Sequence, residues 1–71
     1  MRLILAYINR NGSHTTKHIN GSKLGEELLK LYNRRIEAVA WITGDRANVV
    51  GRVFKNEGKW NYIFDADVEK P

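Results

Sequence analysis

The second half of the chain contains three strand-like segments separated by two short turn sequences. The segments are residues 36–43, 48–55 and 60–66, and the turn sequences GDRA and NEGK occupy residues 44–47 and 56–59. This spacing predicts a three-stranded antiparallel meander. Because the turns fix which residues pair, they also assign every side chain of the meander to one of two sheet faces.

One face of the predicted meander is apolar. If both turns are four-residue loops, Trp41 pairs with Val50 in the first hairpin and Val53 pairs with Tyr62 in the second. Ala40 and Gly51 lie next to each other on this face, and their small side chains leave room for a packed helix. The members of the face are Ile36, Ala38, Ala40, Ile42, Val49, Gly51, Val53, Tyr62 and Phe64.

The opposite face carries aromatic and aliphatic side chains beside an arginine. No second long helix is predicted to cover it, so we expect Trp41, Val50, Phe54 and Ile63 to be exposed next to Arg52. Exposed apolar patches rich in aromatic residues and arginine usually mark an interface. The members of this face are Glu37, Val39, Trp41, Thr43, Asn48, Val50, Arg52, Phe54, Asn61, Ile63 and Asp65.

Three interpretations of this second face are open. It contacts another protein or a second copy of the chain. Alternatively, it binds nucleic acid, with Trp41 and Phe54 stacking on bases and Arg52 contacting a phosphate or a base edge. In the third interpretation, the polar segment 9–21 folds back over the face and buries it. A register shift of one residue would exchange the two faces.

The first half of the chain predicts one strand, one long loop and one helix. Residues 2–8 are apolar at both alternating sets of positions, which is typical of a strand covered on both faces. Residues 9–21 are polar and contain two Asn-Gly dipeptides, which predicts a long loop. Residues 22–34 form a helical pattern that begins at Ser22, a natural N-cap. The apolar stripe of this helix consists of Leu24, Leu28 and Leu31.

These elements predict an α+β fold, namely a four-stranded mixed sheet in β-α-β-β-β order with one helix packed on one face. Seventy-one residues are enough for one domain, residues 1–71. A right-handed crossover through the helix would place the first strand parallel to a neighbour. That neighbour is either the second or the fourth strand, and the pattern does not choose between them.

Chain length and cysteine content limit how this domain is stabilised. A chain this short buries only about 60% of its unfolded surface, so its core is small. The chain has no cysteine, which excludes disulfides and thiolate metal sites. Self-association is a common alternative source of stability for such a domain. No apolar run approaches the length of a membrane span or a signal peptide, so we expect a cytoplasmic protein without membrane contact.

Basic residues concentrate in the first half of the chain. Residues 1–36 hold seven basic and two acidic residues, whereas residues 37–71 hold five basic and six acidic residues. Arg10, Lys17 and Lys23 lie in a stretch without acidic residues and form a predicted basic loop. This asymmetry favours a polyanionic partner, although a solvated basic surface has the same composition.

Candidate catalytic and metal-binding residues form no complete set. His14 and His18 have the spacing of two ligands on one helical face, but a zinc site needs a third ligand. The sequence NGSK at 20–23 precedes the helix, where free amides could attract a phosphate, but it lacks the P-loop pattern. We therefore expect neither an enzyme nor a bound metal or cofactor.

Residues 51–63, GRVFKNEGKWNYI, resemble a hairpin of the arm-binding domains of phage integrases and the related DNA-binding domains of plants. In those domains a three-stranded sheet enters the DNA major groove. The resemblance therefore implies DNA binding through the sheet. In those domains a helix follows the sheet, whereas here the predicted helix precedes it.

The sequence therefore favours a small non-enzymatic binding protein whose partner is nucleic acid. The alternative is a protein-interaction module, such as a small phage-encoded regulator or inhibitor of another protein, and a homodimer is compatible with both. The predicted binding residues are Trp41, Arg52, Phe54 and Ile63 on the sheet face and Arg10, Lys17 and Lys23 in the basic loop.

Overall fold

The computed structural model describes residues 1–69 and contains one helix packed on one antiparallel sheet. The sheet has five strands in the order β2-β1-β3-β4-β5, and every neighbouring pair is antiparallel. The α+β class with one helix on one face is confirmed, whereas the predicted four-stranded mixed sheet is wrong. The strands are β1 Arg2–Ile8, β2 His14–Asn20, β3 Ala38–Ile42, β4 Asp45–Asn56 and β5 Lys59–Phe64, and the helix is α1 Leu24–Asn33.

The fifth strand lies in the segment that the sequence predicted to be a loop. Asn11 and Gly12 form the tip of a hairpin between β1 and β2, and Gly12 adopts a φ of 88° that suits glycine. The Asn9 amide closes this turn by donating to the Ser13 carbonyl at 2.8 Å. Because β1 pairs with β2 and β3 in antiparallel fashion, the predicted parallel crossover does not occur.

The helix begins two residues later than predicted and makes its closest backbone contacts with β4 and β5. A short 3-10 turn, Gly21–Lys23, precedes it, and the Asn20 side chain caps this turn by accepting from the Ser22 amide. Ser22 therefore is not the N-cap. The predicted stripe is confirmed, since its three leucines are buried against the sheet. The largest fully buried side chains are Leu3, Leu5, Leu24, Leu28 and Val53.

A β-bulge in β4 changes the predicted register of the first hairpin. Trp41 pairs with Val49 instead of Val50, because the register shifts on either side of Trp41. The extra residue in the bulged strand turns Val50 into the core, where it is 7% exposed, and leaves Val49 45% exposed. The assignment of these two valines to faces was therefore wrong.

The second hairpin has the predicted pairing. Lys55 pairs with Trp60, Val53 with Tyr62 and Gly51 with Phe64. The turn itself contains only Glu57 and Gly58, with φ values of 50° and 78°. Positive φ at both central residues is typical of the tight turns that join twisted antiparallel strands.

Candidate binding face

The side of the sheet away from α1 forms an open face. Side chains alternate along a strand, so every second residue of each strand points to this face. The pairing of β1 to β5 determines which residues these are. A groove of about 560 Å³ runs along part of this face. The side chains that line it include Ala6, Val39, Val49, Arg52 and Phe54. The open face therefore offers a largely apolar surface that includes a cation.

Three of the predicted sheet residues lie together on the open face. Arg52 pairs across strands with Ile63, and the Arg52 guanidinium lies over the Phe54 ring, 5.2 Å from its centroid. Ile63 is 57% exposed, whereas Phe54 is half-buried. Cation–π attraction holds a guanidinium against an aromatic ring. The side of the guanidinium that faces away from the ring then stays accessible to a partner.

Trp41 does not have the exposure that the sequence predicted. It lies on the open side of β3, but only 8% of it is exposed. The Arg46 guanidinium lies over its ring, 5.2 Å from the centroid. Arg46 belongs to the first hairpin. The segment 9–21 that might have covered the face instead builds β2 at the edge of the sheet. The Trp41 ring is therefore buried beneath Arg46 and is not available to stack on a base.

The predicted basic loop does not lie beside the open face. Lys17 alternates toward α1, and its Nζ is 2.9 Å from Glu27 Oε2. Lys23 Nζ is 3.6 Å from Glu26 Oε2, and the Arg10 guanidinium donates to the Arg34 carbonyl oxygen at 2.7 Å. All three cations are thus on the helix side, paired with carboxylates or with a helix-end carbonyl. The structure does not bring them together with Arg52: Lys17 alternates toward the helix in β2, Lys23 lies in the turn before α1, and Arg10 lies in the β1–β2 turn.

The open face has its own set of basic residues, most of which the sequence prediction missed. Strand alternation places Arg2 and Lys59 there together with Arg52, and Arg46 reaches it over Trp41. Within residues 1–69, none of these four cations forms an ion pair. The alternation of side chains in β1 and β5 could have predicted the positions of Arg2 and Lys59. The position of Arg46 could not be predicted in this way, because it depends on the bulge in β4.

A carboxylate of the chain lies at the helix N-terminus, and the two histidines lie far apart. The amide of Gly25 in the first turn of α1 donates to the Glu69 carboxylate, which supplies the anion that a phosphate would otherwise provide. His14 and His18 lie on one strand, about 13 Å apart along it, so they cannot share a metal ion. The described part of the chain holds no group of three side chains suited to a metal.

No helix in residues 1–69 has both the length and the apolar character needed to cross a membrane. Comparison with protein-family models, with curated proteins and with solved structures finds no significant match to this chain. The resemblance of residues 51–63 to a DNA-binding hairpin therefore stays confined to that hairpin, and the function has to be inferred from the geometry of the open face.

Proposed function

We propose that the protein is a non-enzymatic binding module that holds single-stranded nucleic acid on its open face. The observation that carries the proposal is a group of arginines on the open face that have no ion pair within residues 1–69 and lie on apolar surface. On the helix side, Lys17, Lys23 and Lys30 each have a glutamate within 4 Å. On the open face, Arg46 and Arg52 lie on aromatic rings and form no ion pair with residues 1–69.

The uncompensated arginines match the chemistry of a nucleotide chain. A guanidinium can donate to two phosphate oxygens at once, and its flat surface can stack on a base. Phe54 and Ile63 beside Arg52 supply apolar surface for the face of a base. A polyanion with aromatic bases thus satisfies both the charge and the apolar character of this face.

The width of the sheet favours a single strand over duplex DNA. Five strands at a spacing of about 4.8 Å make a sheet about 19 Å wide. The major groove of B-DNA is about 12 Å wide and admits a helix or a two-stranded ribbon. A flexible single strand can instead follow the whole open face.

Fluorescence anisotropy with a labelled mixed-sequence oligonucleotide tests the proposal. We expect Arg52→Gln to weaken binding several-fold and to reduce the slope of log K against log salt by about 0.7 for each phosphate that the variant no longer neutralises. Lys30→Gln, which removes the same charge from the helix side, is the matched control and should have little effect. Equal effects of the two variants would contradict the assignment of the open face. Tighter binding of a duplex of the same sequence would contradict the choice of a single strand.

A protein partner is the second candidate, and one specific observation favours it. Ile8, Val49 and Ile63 lie on the open face and are 53%, 45% and 57% exposed. Exposed aliphatic residues of this kind are typical of protein interfaces. Ile8→Lys separates the two candidates, because the added charge on the open face should strengthen nucleic-acid binding but weaken an apolar protein contact.

A further inference from the structure

The outer edge of β5 has no partner strand within residues 1–69. The Asp65 amide donates to the Val50 carbonyl oxygen of β4 at 2.8 Å. Backbone groups alternate in direction along a strand, so the odd-numbered residues of β5 bond to β4. The N–H and C=O groups of Trp60, Tyr62 and Phe64 therefore point away from the sheet, and within the described residues no hydrogen bond to them is formed.

The sequence of this edge is complementary to itself in an antiparallel pairing. When two copies of β5 pair with Tyr62 opposite Tyr62 of the second copy, Trp60 lies opposite Phe64 and Lys59 lies opposite Asp65. The outward backbone groups at 60, 62 and 64 are then the ones that bond across the edge. Aromatic pairs and opposite charges directly across two strands are both favourable. This edge also carries no proline or inward charge of the kind that protects free edges.

The helix presents an exposed leucine on the same side. Tyr32 packs on Tyr62 with ring centroids 4.8 Å apart, which places the Gly25, Leu29 and Tyr32 side of α1 toward β5. Glu27, on the other side of the helix, reaches Lys17 of β2. Leu29 is 43% exposed, and Tyr62 below it is 40% exposed. An exposed leucine thus lies above a strand edge that has unpaired backbone groups.

We propose that two copies of the chain associate through β5, with their β5 strands antiparallel and centred on Tyr62. The two sheets become one ten-stranded sheet, and Leu29 of each copy is covered by the helix and edge of the other. The two-fold axis of an antiparallel pair is perpendicular to the sheet, so both helices lie on one side and both open faces on the other. This goes beyond the proposed function, because it holds whatever the open face binds.

Analytical ultracentrifugation of the full chain tests the inference. We expect the unmodified protein to sediment with twice the mass of one chain, and Leu29→Lys to sediment as a single chain. Leucine and lysine have similar helix propensities, so the substitution should leave the fold intact, as circular dichroism can check. Ile8→Lys on the open face, where the side chain is 53% exposed against 43% for Leu29, is the matched control and should remain dimeric. A monomer at millimolar concentration, or dissociation by Ile8→Lys but not by Leu29→Lys, would overturn the proposal.

Cross-linking tests the register, since the chain contains no cysteine of its own. Residues facing each other across the axis lie about 5.5 Å apart at their Cα atoms, within reach of a disulfide. Tyr62→Cys should therefore form a covalent dimer under mild oxidation. Ile63→Cys is more exposed but lies two residues out of register with itself, so it should cross-link several-fold less. Equal or greater cross-linking at 63 would overturn the pairing centred on Tyr62. Neither readout depends on nucleic acid, so this inference and the proposed function fail separately.

Discussion

Replacing Gly51 with alanine tests which face of the sheet the helix covers, and therefore which face is free to bind. A Cβ at this position would lie 2.8 Å from Leu28 Cδ1 and 3.1 Å from Leu24 Cδ1. Both leucines are fully buried, so their methyl groups have little room to move. Gly51→Ala should therefore push α1 away from β4.

The expected loss combines two opposing effects. Forcing an extra methyl group into a packed core usually costs about 1–3 kcal/mol. Alanine in a strand recovers about 0.5–1 kcal/mol relative to glycine, because it has less backbone entropy to lose. The free energy of unfolding should thus fall by about 1 kcal/mol, which corresponds to a drop in Tm of about 4–8 °C for a domain of this size. Urea unfolding followed by circular dichroism measures it.

A double-mutant cycle with Leu28→Ala makes the prediction specific. Leu28→Ala alone should cost about 2–5 kcal/mol, because it leaves a cavity next to Gly51. In the double variant the new methyl group occupies part of that cavity. The double variant should therefore lose about 1 kcal/mol less free energy of unfolding than the sum of the losses of the two single variants. Gly25→Ala is the control, since its Cβ would meet only the flexible Glu69 side chain. Additive losses at 51 and 28 would refute the packing of α1 over β4.

Three further predictions concern single features of the fold. Trp41→Ala should lower the free energy of unfolding by about 3–5 kcal/mol in urea, as expected for a buried ring, whereas a small loss would mean that the ring is exposed. A double-mutant cycle on the pair Lys17–Glu27 should give a coupling below about 1 kcal/mol that falls with added salt, because the lysine is 40% exposed; a coupling insensitive to salt would contradict this. Glu57→Asn should raise stability by about 0.5–1 kcal/mol, because asparagine tolerates the φ of 50° better than glutamate, and no gain in thermal unfolding would argue against a strained turn.

The second hairpin could be predicted because its turn residues determine the pairing directly. The dipeptide Glu57-Gly58 follows one strand-like segment and precedes another, and its register needs no information from elsewhere in the chain. The first hairpin could not be predicted in the same way. Its bulge reverses the faces of Val49 and Val50, and bulges depend on how a strand twists against its neighbours. The burial of Trp41 under Arg46 follows from that local geometry.

Strand β2 was not predicted because an edge strand with mostly polar residues lacks the apolar pattern by which strands are recognised in a sequence. Only Ile19 in β2 is strongly apolar, because an edge strand packs few side chains into the core. The Asn11-Gly12 dipeptide between β1 and β2 is typical of a hairpin turn. The hairpin was missed because the residues that follow the dipeptide are mostly polar and do not resemble a strand. Once β2 is a strand, alternation sends Lys17 to the helix side. Missing β2 therefore also led to the wrong expectation that Lys17 lies beside the aromatic face.

The charges of the two surfaces explain why a second copy should choose the edge of β5 and not the open face. The ten-residue helix covers one side of the sheet, so the open face keeps exposed aliphatic residues and arginines that form no ion pair with residues 1–69. In a two-fold contact both copies use the same surface, so an open-face dimer would enclose the arginines of both copies, Arg46 and Arg52, in one interface. Like charges brought together with little solvent are unfavourable. At β5 the same symmetry brings Lys59 to Asp65. We therefore expect self-association at the edge and leave the open face to a partner that carries negative charge.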